Sequence, residues 1–285
     1  MAHPLRASRA PAPGRRTQTS KKRRHAASAL AVCWLCAGSA GQVQAAGNLL
    51  LLAAPPAQPT LAVGAALWVW PRYPGARQRS STLLPAIAYA HSNGFFASTD
   101  DGLGWNLSQR PDLQAGLRLW PQLARHAADA PRGLGGIGER LQTEAYVNWS
   151  ALPVLLLQSG LLHGAGAHHN GLQLELGATS GLPIGADLLG IGLSASFANA
   201  AYRQSYFGID ASQAAASGLA ERRLGAGWQD ASLTLSAEHR LSPHWRLGGQ
   251  LLLTRWLGMP AAGSAASWPP ARSQHAGTLT LWREL

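Results

Sequence analysis

Residues 231–241 read Ala-Ser-Leu-Thr-Leu-Ser-Ala-Glu-His-Arg-Leu. Ala231, Leu233, Leu235, Ala237 and Leu241 fall on one face of a two-residue period. Ser232, Thr234, Ser236, Glu238 and Arg240 fall on the other. Successive side chains of a strand point to opposite sides, so this is a strand with one apolar and one polar face.

The same alternation recurs outward from this stretch. Ala145, Val147 and Trp149 stand opposite Glu144, Tyr146 and Asn148. Leu189, Ile191, Leu193 and Phe197 stand opposite small Gly and Ser residues. Trp245, Leu251 and Leu253 stand opposite Arg246, Gln250 and Thr254. Shorter signals at 60–70, 82–91, 94–99, 102–108, 114–123, 152–160, 172–176 and 278–281 complete a set of about 10–12 strands of roughly 8–12 residues. Ser92-Asn93-Gly94, Asn170-Gly171 and Ser242-Pro243 punctuate them as turns.

Charge and cysteine usage divide the chain. It carries 24 basic and 13 acidic residues, a formal net of +11. Eight of the basic residues, both lysines among them, precede residue 26, with no acid in that segment. Without that segment 16 basic residues face 13 acidic, so the high pI is a targeting feature and no sign of nucleic-acid binding. Ala26–Ala37 is apolar but too short to span a bilayer as a helix, and Val43-Gln44-Ala45 fits a small-x-small cleavage site. We therefore read 1–45 as a cleaved signal peptide, 46–59 as an N-terminal periplasmic segment and 60–285 as the barrel. Both cysteines, Cys33 and Cys36, lie in the signal, which excludes a disulfide scaffold or a thiolate metal site from the remainder.

Alternation does not by itself say which face meets lipid. The polar faces are small and free of Lys, Trp is frequent near strand ends, and the chain is exported. Together these point to an all-β, closed antiparallel transmembrane β-barrel in the outer membrane, its apolar faces on the lipid. Trp68, Trp70, Trp120, Trp149, Trp245, Trp256 and Trp282 are the expected interface girdles.

The segment Tyr202-Arg203-Gln204-Ser205-Tyr206-Phe207-Gly208-Ile209-Asp210, with Gly225-Ala226-Gly227-Trp228-Gln229-Asp230 after it, resembles the MltA-interacting protein (MipA/OmpV) family of outer-membrane proteins. Pro71-Arg72-Tyr73-Pro74-Gly75 resembles that family's turn after the first strand, and Leu134–Gly138 its glycine-rich entry to a mid-chain strand. The likeness spans about 60–285. The chain departs from it in ending Trp282-Arg283-Glu284-Leu285 and not on an aromatic. The resemblance implies an outer-membrane barrel that brings together a lytic transglycosylase and a murein synthase, with membrane lipid as the surrounding partner; the lack of catalytic motifs gives the expectation of no enzyme and no cofactor. It marks Tyr73, Gly75, Gln204, Ser205, Tyr206, Phe207, Gly208 and Asp230 as family-signature or partner-binding residues. The competing reading is a passive outer-membrane channel, suggested by the polar inner faces.

Catalytic motifs are lacking. No G-x-S-x-G occurs. Gly133–Gly138 matches G-x-G-x-x-G but follows Pro131-Arg132 and not a strand. His163, His168 and His169 have no acidic neighbour in sequence, and Asp100-Asp101-Gly102 reads as a hairpin turn. The stretch 200–227 is too long for a hairpin turn, and such loops are functional or disordered. Its Tyr202, Tyr206, Phe207, Arg203, Arg222 and Arg223 are residue types found at interface hot spots, and equally types that pack a loop onto a barrel rim. Counting 188–199 as the ninth strand, with both barrel ends periplasmic, puts this loop outside the cell.

Overall fold

The computed structural model describes residues 55–122, 124–258, 268–269 and 271–285. The signal segment, most of 46–59 and much of the alanine-rich loop 257–272 lie outside the described residues. The strands are Thr60–Pro71 (β1), Arg79–Ala90 (β2), Phe95–Ser98 (β3), Gly102–Asn106 (β4), Leu113–Pro121 (β5), Leu141–Leu152 (β6), Leu155–Ala165 (β7), Gly171–Ile184 (β8), Asp187–Ala198 (β9), Gly227–Ser242 (β10), Trp245–Trp256 (β11) and Ser273–Glu284 (β12). Each pairs antiparallel with its sequence neighbours, and β12 returns to β1 in the register Ala62↔Glu284 to Val69↔Gly277. Closure leaves no free sheet edge at the seam, as hydrocarbon requires.

The faces follow the sequence period. Along β10, Ser232 is buried inside, whereas Leu235 and Ala237 are exposed outside. Along β9, Ile191 and Leu193 point outward, with Leu193 64% exposed. Apolar side chains on the outside of a closed sheet are what a lipid solvent demands.

Two expectations are corrected. Trp68, Trp120 and Trp282 are buried inside the barrel and form no part of a girdle. Their even positions in β1, β5 and β12 share the inward parity of Ala66, Arg118 and Thr280. Trp149 and Trp245 stand outward as expected and, with Trp105, make the belt at one rim; Phe197 with Trp228, edge to face at 5.8 Å, makes it at the other. The second correction concerns length. β3 and β4 have four and five residues, well under the length that crosses a bilayer.

Odd strands run away from the rim that holds Thr60 and Glu284, so β9 ends at the distal rim. The terminal rim carries the tight turns 91–94, 107–112, 153–154, 185–186 and 243–244. The distal rim carries the long connections 72–78, 122–140, 199–226 and 257–272. The connection after β9 is neither a simple turn nor irregular. It holds two short helices, α1 (Ala200–Phe207) and α2 (Ala211–Ser217). Asn199 caps α1 by accepting from the Tyr202 N–H. Asp210 and Gln213 form a reciprocal capping box on α2, which Gly218 ends at φ 74°.

Candidate functional site

The distal loops build a layer with its own core. Tyr73 and Ala76 from the β1–β2 loop, Leu134 from β5–β6, Ile209 from β9–β10 and Trp268 from β11–β12 form one buried cluster. Tyr73 stacks on Trp268 at 5.5 Å. A second cluster seats Tyr202, Tyr206 and Phe207 of α1 on Ala165 and Ala198 at the strand ends, with Ile137 beside them. Outside lipid, each fully buried aromatic contributes about 1.5–3 kcal/mol.

Hydrogen bonds tie the loops together. Arg125 donates from Nη1 to the Tyr206 carbonyl at 3.0 Å and from Nη2 to the Leu134 carbonyl at 3.3 Å. Its guanidinium also lies over the Trp268 ring at 5.3 Å. Arg72 pairs with Asp129 at 2.5 Å, and Gln213 donates to the Leu134 carbonyl at 2.9 Å. Arg222 donates to the Trp268 carbonyl. These contacts fasten described parts of the four long distal connections to one another as a lid. Burial pushes the Tyr202 and Tyr206 phenols well above the ordinary tyrosine range, with Arg125 partly offsetting the effect at Tyr206.

Each signature residue is placed by this layer or by the lumen below it. Gly75 has φ 88°, open to glycine without strain, and a Cβ there would collide with the Pro269 ring. Gln204 accepts from the Leu224 N–H at 2.9 Å and donates to the Arg222 carbonyl at 3.1 Å. Ser205 Oγ accepts from the Ala167 N–H at 3.1 Å. Gly208 ends α1, its N–H on the Gln204 carbonyl at 3.0 Å. Tyr73, Tyr206, Phe207 and Asp230 are buried, and Asp230 accepts from Ser196 inside the wall. Of the two roles open to the 200–227 aromatics, the structure shows the packing one: Phe207 is fully buried and Tyr206 nearly so.

Below the lid the lumen is filled. Arg118 on β5 meets Glu144 on β6 in a two-point ion pair at 2.7 and 2.8 Å, and its guanidinium lies over Trp120 and Tyr146 at 4.9 and 5.2 Å. Gly160 on β7 leaves room for that carboxylate, since a Cβ there would stand 2.5 Å from Glu144 Oε1. At the terminal rim Arg246 bridges Glu238 at 3.1 Å and Glu284 at 3.0 Å. Between these groups lie two small cavities. One of about 100 Å³ sits under α1, bordered by Gln122, Gln142, Glu175 and Gln274. One of about 60 Å³ lies deeper, beside Gln158, Thr179 and Thr234. The inward charges Arg118, Glu144, Arg246 and Glu238 are thus paired internally. The Arg118–Glu144 pair escaped the sequence reading; the signal that could have found it is a charge at an inward position on each of two adjacent strands.

His163 faces outward on β7, while His168 and His169 stand in the turn that follows. Among the described residues no group of three His, Cys, Asp or Glu is placed to hold a metal ion.

A closed barrel with an apolar outer face, a filled lumen and a folded loop layer over one rim is an outer-membrane protein of the transmembrane β-barrel class. The family profile described as MltA-interacting protein MipA matches residues 63–264, and the chain belongs to that family. No curated protein matches. Among solved structures the chain is similar to the COG4313 outer membrane channel from Pseudomonas putida F1, at 11% identity and TM-score 0.41, covering 87% of this chain and 99% of that one. It is also similar to OccK11 (OpdR) from Pseudomonas aeruginosa, at 8% identity and TM-score 0.33 over 82% and 98% of the two chains. The toluene transporter TbuX from Ralstonia pickettii follows at 8% identity and TM-score 0.32, over 80% and 88%. Likeness at this level carries no functional weight.

Proposed function

We propose that this barrel is a scaffold that binds a lytic transglycosylase, and through the same platform a murein synthase, and that it is not a solute channel. The family's description as MltA-interacting supports the first half. The observation that carries the second is the cross-linked lid over a lumen whose charges are paired internally. Long loops of outer-membrane barrels usually face the medium and short turns the periplasm. The lid is then extracellular. The enzyme contacts fall on the terminal rim, in the turns 107–112, 153–154, 185–186 and 243–244 and in the segment 46–59. The signature residues around Tyr206 serve this function indirectly, by holding the lid closed.

Two measurements test the reading together. Planar-bilayer recordings of the refolded barrel should show no steady unit conductance. Affinity capture from detergent-solubilised membranes should recover a lytic transglycosylase. A steady conductance, with no transglycosylase recovered on a folded bait, supports the channel instead.

A further inference from the structure

The outer face of the distal rim has two unlike sectors. On β5, β6, β8, β9 and β10 the outward position at or next to that rim is apolar, and Leu119, Leu141, Leu172, Phe197 and Trp228 are all exposed there. His163 on β7 is the exception in that sector. On β11, β12 and β2 the same level carries Arg255, Ser273 with His275, and Arg79, all exposed, with Pro71 of β1 between them. The aromatic belt thus stops at β10, and basic side chains take its place.

Strand register brings these basic groups together. Arg79 stands beside Pro71, and Arg255 beside Ser273, while Leu253 is the direct partner of His275. Arg79 reaches across β1 to His275, its Nη2 3.3 Å from Nδ1. A guanidinium only donates, so Nδ1 accepts and the ring N–H is on Nε2. Arg255 lies on the diagonal from His275, a Cβ separation of about 7 Å that a long side chain covers. Two guanidinium groups, an imidazole and the Ser273 hydroxyl therefore border one patch of the outer surface.

No acid of the protein answers this charge. Residues 60–90 and 245–283 contain no Asp or Glu. Elsewhere exposed and inward arginines find carboxylates, as Arg72 does in Asp129 and Arg246 in Glu238, but neither Arg79 nor Arg255 is in an ion pair with a described residue. Four residues further down β2 the surface turns apolar. Leu83, Leu67 and Leu279 form one row across β2, β1 and β12, exposed by 72%, 43% and 51%. The drop from Arg79 to Leu83 is about 13 Å along the strand. Positive charge at the rim over aliphatic surface in the wall is the complement of an anionic lipid, with its head at the interface and its chains in hydrocarbon.

We propose that this strip of β11, β12, β1 and β2 seats a lipid with a phosphate headgroup, in the leaflet that meets the distal rim. Arg79, His275 and Arg255 bind the phosphate, and Ser273 donates to it; the planar fork of arginine suits phosphate oxygens. The acyl chains lie along Leu83, Leu67 and Leu279. The site lies on the outer wall, apart from the lumen and from the turns at the terminal rim.

The test uses the protein purified in non-ionic detergent and freed of lipid, with dilauroyl phosphatidic acid as the probe and native mass spectrometry as the readout of lipid retained. Phosphatidic acid should bind about tenfold more tightly than dilauroyl phosphatidylcholine, and Arg79→Gln/Arg255→Gln should lose that preference. Arg132→Gln/Arg223→Gln removes the same charge from exposed positions of the lid and should bind like the unaltered protein. Glycerol 3-phosphate, a head without chains, should not displace the lipid. Heat-modifiable gel mobility confirms folding, and if the Arg79→Gln/Arg255→Gln variant does not fold, the comparison of the two lipids on the unaltered protein and on Arg255→Gln decides. Equal retention of the two lipids by the unaltered protein, or equal losses in the two double variants, would overturn the site. Displacement by glycerol 3-phosphate at the concentration where phosphatidic acid itself competes would make the ligand free phosphate and overturn the lipid.

Discussion

Arg125 reaches across 81 residues of sequence to donate to the main-chain carbonyl of Tyr206 at 3.0 Å. It does so while buried and while covering the Trp268 ring, so one side chain fastens three loops. Replacing it with Met removes charge-assisted bonds worth about 1.5–3 kcal/mol and leaves two buried carbonyls without that donor. We expect Arg125→Met to leave barrel stability in urea nearly unchanged while making 200–226 sensitive to added protease in intact vesicles. Unchanged protease resistance would show that the lid does not depend on this residue.

Alkaline pH should open the same lid. Tyr202 and Tyr206 have folded-state pKa values above the ordinary value of about 10, chiefly through burial. Their contribution is fully present below that ordinary value and is lost as pH rises above it toward the folded-state values. Protease cleavage in 200–226 should therefore rise above about pH 10, and the Tyr202→Phe/Tyr206→Phe double variant should resist cleavage to higher pH. Identical profiles for the two proteins would remove these phenols from the account.

Inside the wall, Arg118 and Glu144 are each almost wholly buried. Glu144→Ala leaves the buried guanidinium only the looser contact with Asp101 at 3.9 Å and should cost about 3 kcal/mol in reversible unfolding from lipid vesicles. The double variant Arg118→Met/Glu144→Leu should recover most of that loss. A double variant as unstable as the single would mean that the packing of the pair matters more than its charge.

Facing is tested on neighbouring residues of β10. Leu235 is exposed on the outside, and Thr234 borders the deeper cavity inside. Arg at Leu235 should cost about 2–4 kcal/mol near the bilayer midplane, and Arg at Thr234 clearly less. The same reversible unfolding measures both.

Sidedness is tested at Ser212, exposed at the start of α2. In Ser212→Cys, a membrane-impermeant maleimide should label intact cells. Labelling only after the outer membrane is permeabilised would turn the distal rim toward the periplasm and make the lid the partner surface.

How far the sequence reaches depends on whether a feature is local. The two-residue period in 231–241 is local chemistry, and with it came the strands, their lipid-facing sides and the ninth position of β9. The Tyr202–Asp210 segment was likewise enough to mark the family, because it needs only adjacent residues. Three things were settled by tertiary structure. Trp68 and Trp120 face inward because register and parity, not nearness to a strand end, orient a side chain. Phe207 is buried because Ile137 and Trp256, both distant in sequence, close over it together with Ala198 at the end of β9. β3 and β4 stop at four and five residues although 94–108 carries a strand pattern, because pairing with β2 and β5, and not the local sequence, sets their length. Pairing and burial are relations between distant residues, so the pattern of any one segment specifies its faces but not its neighbours.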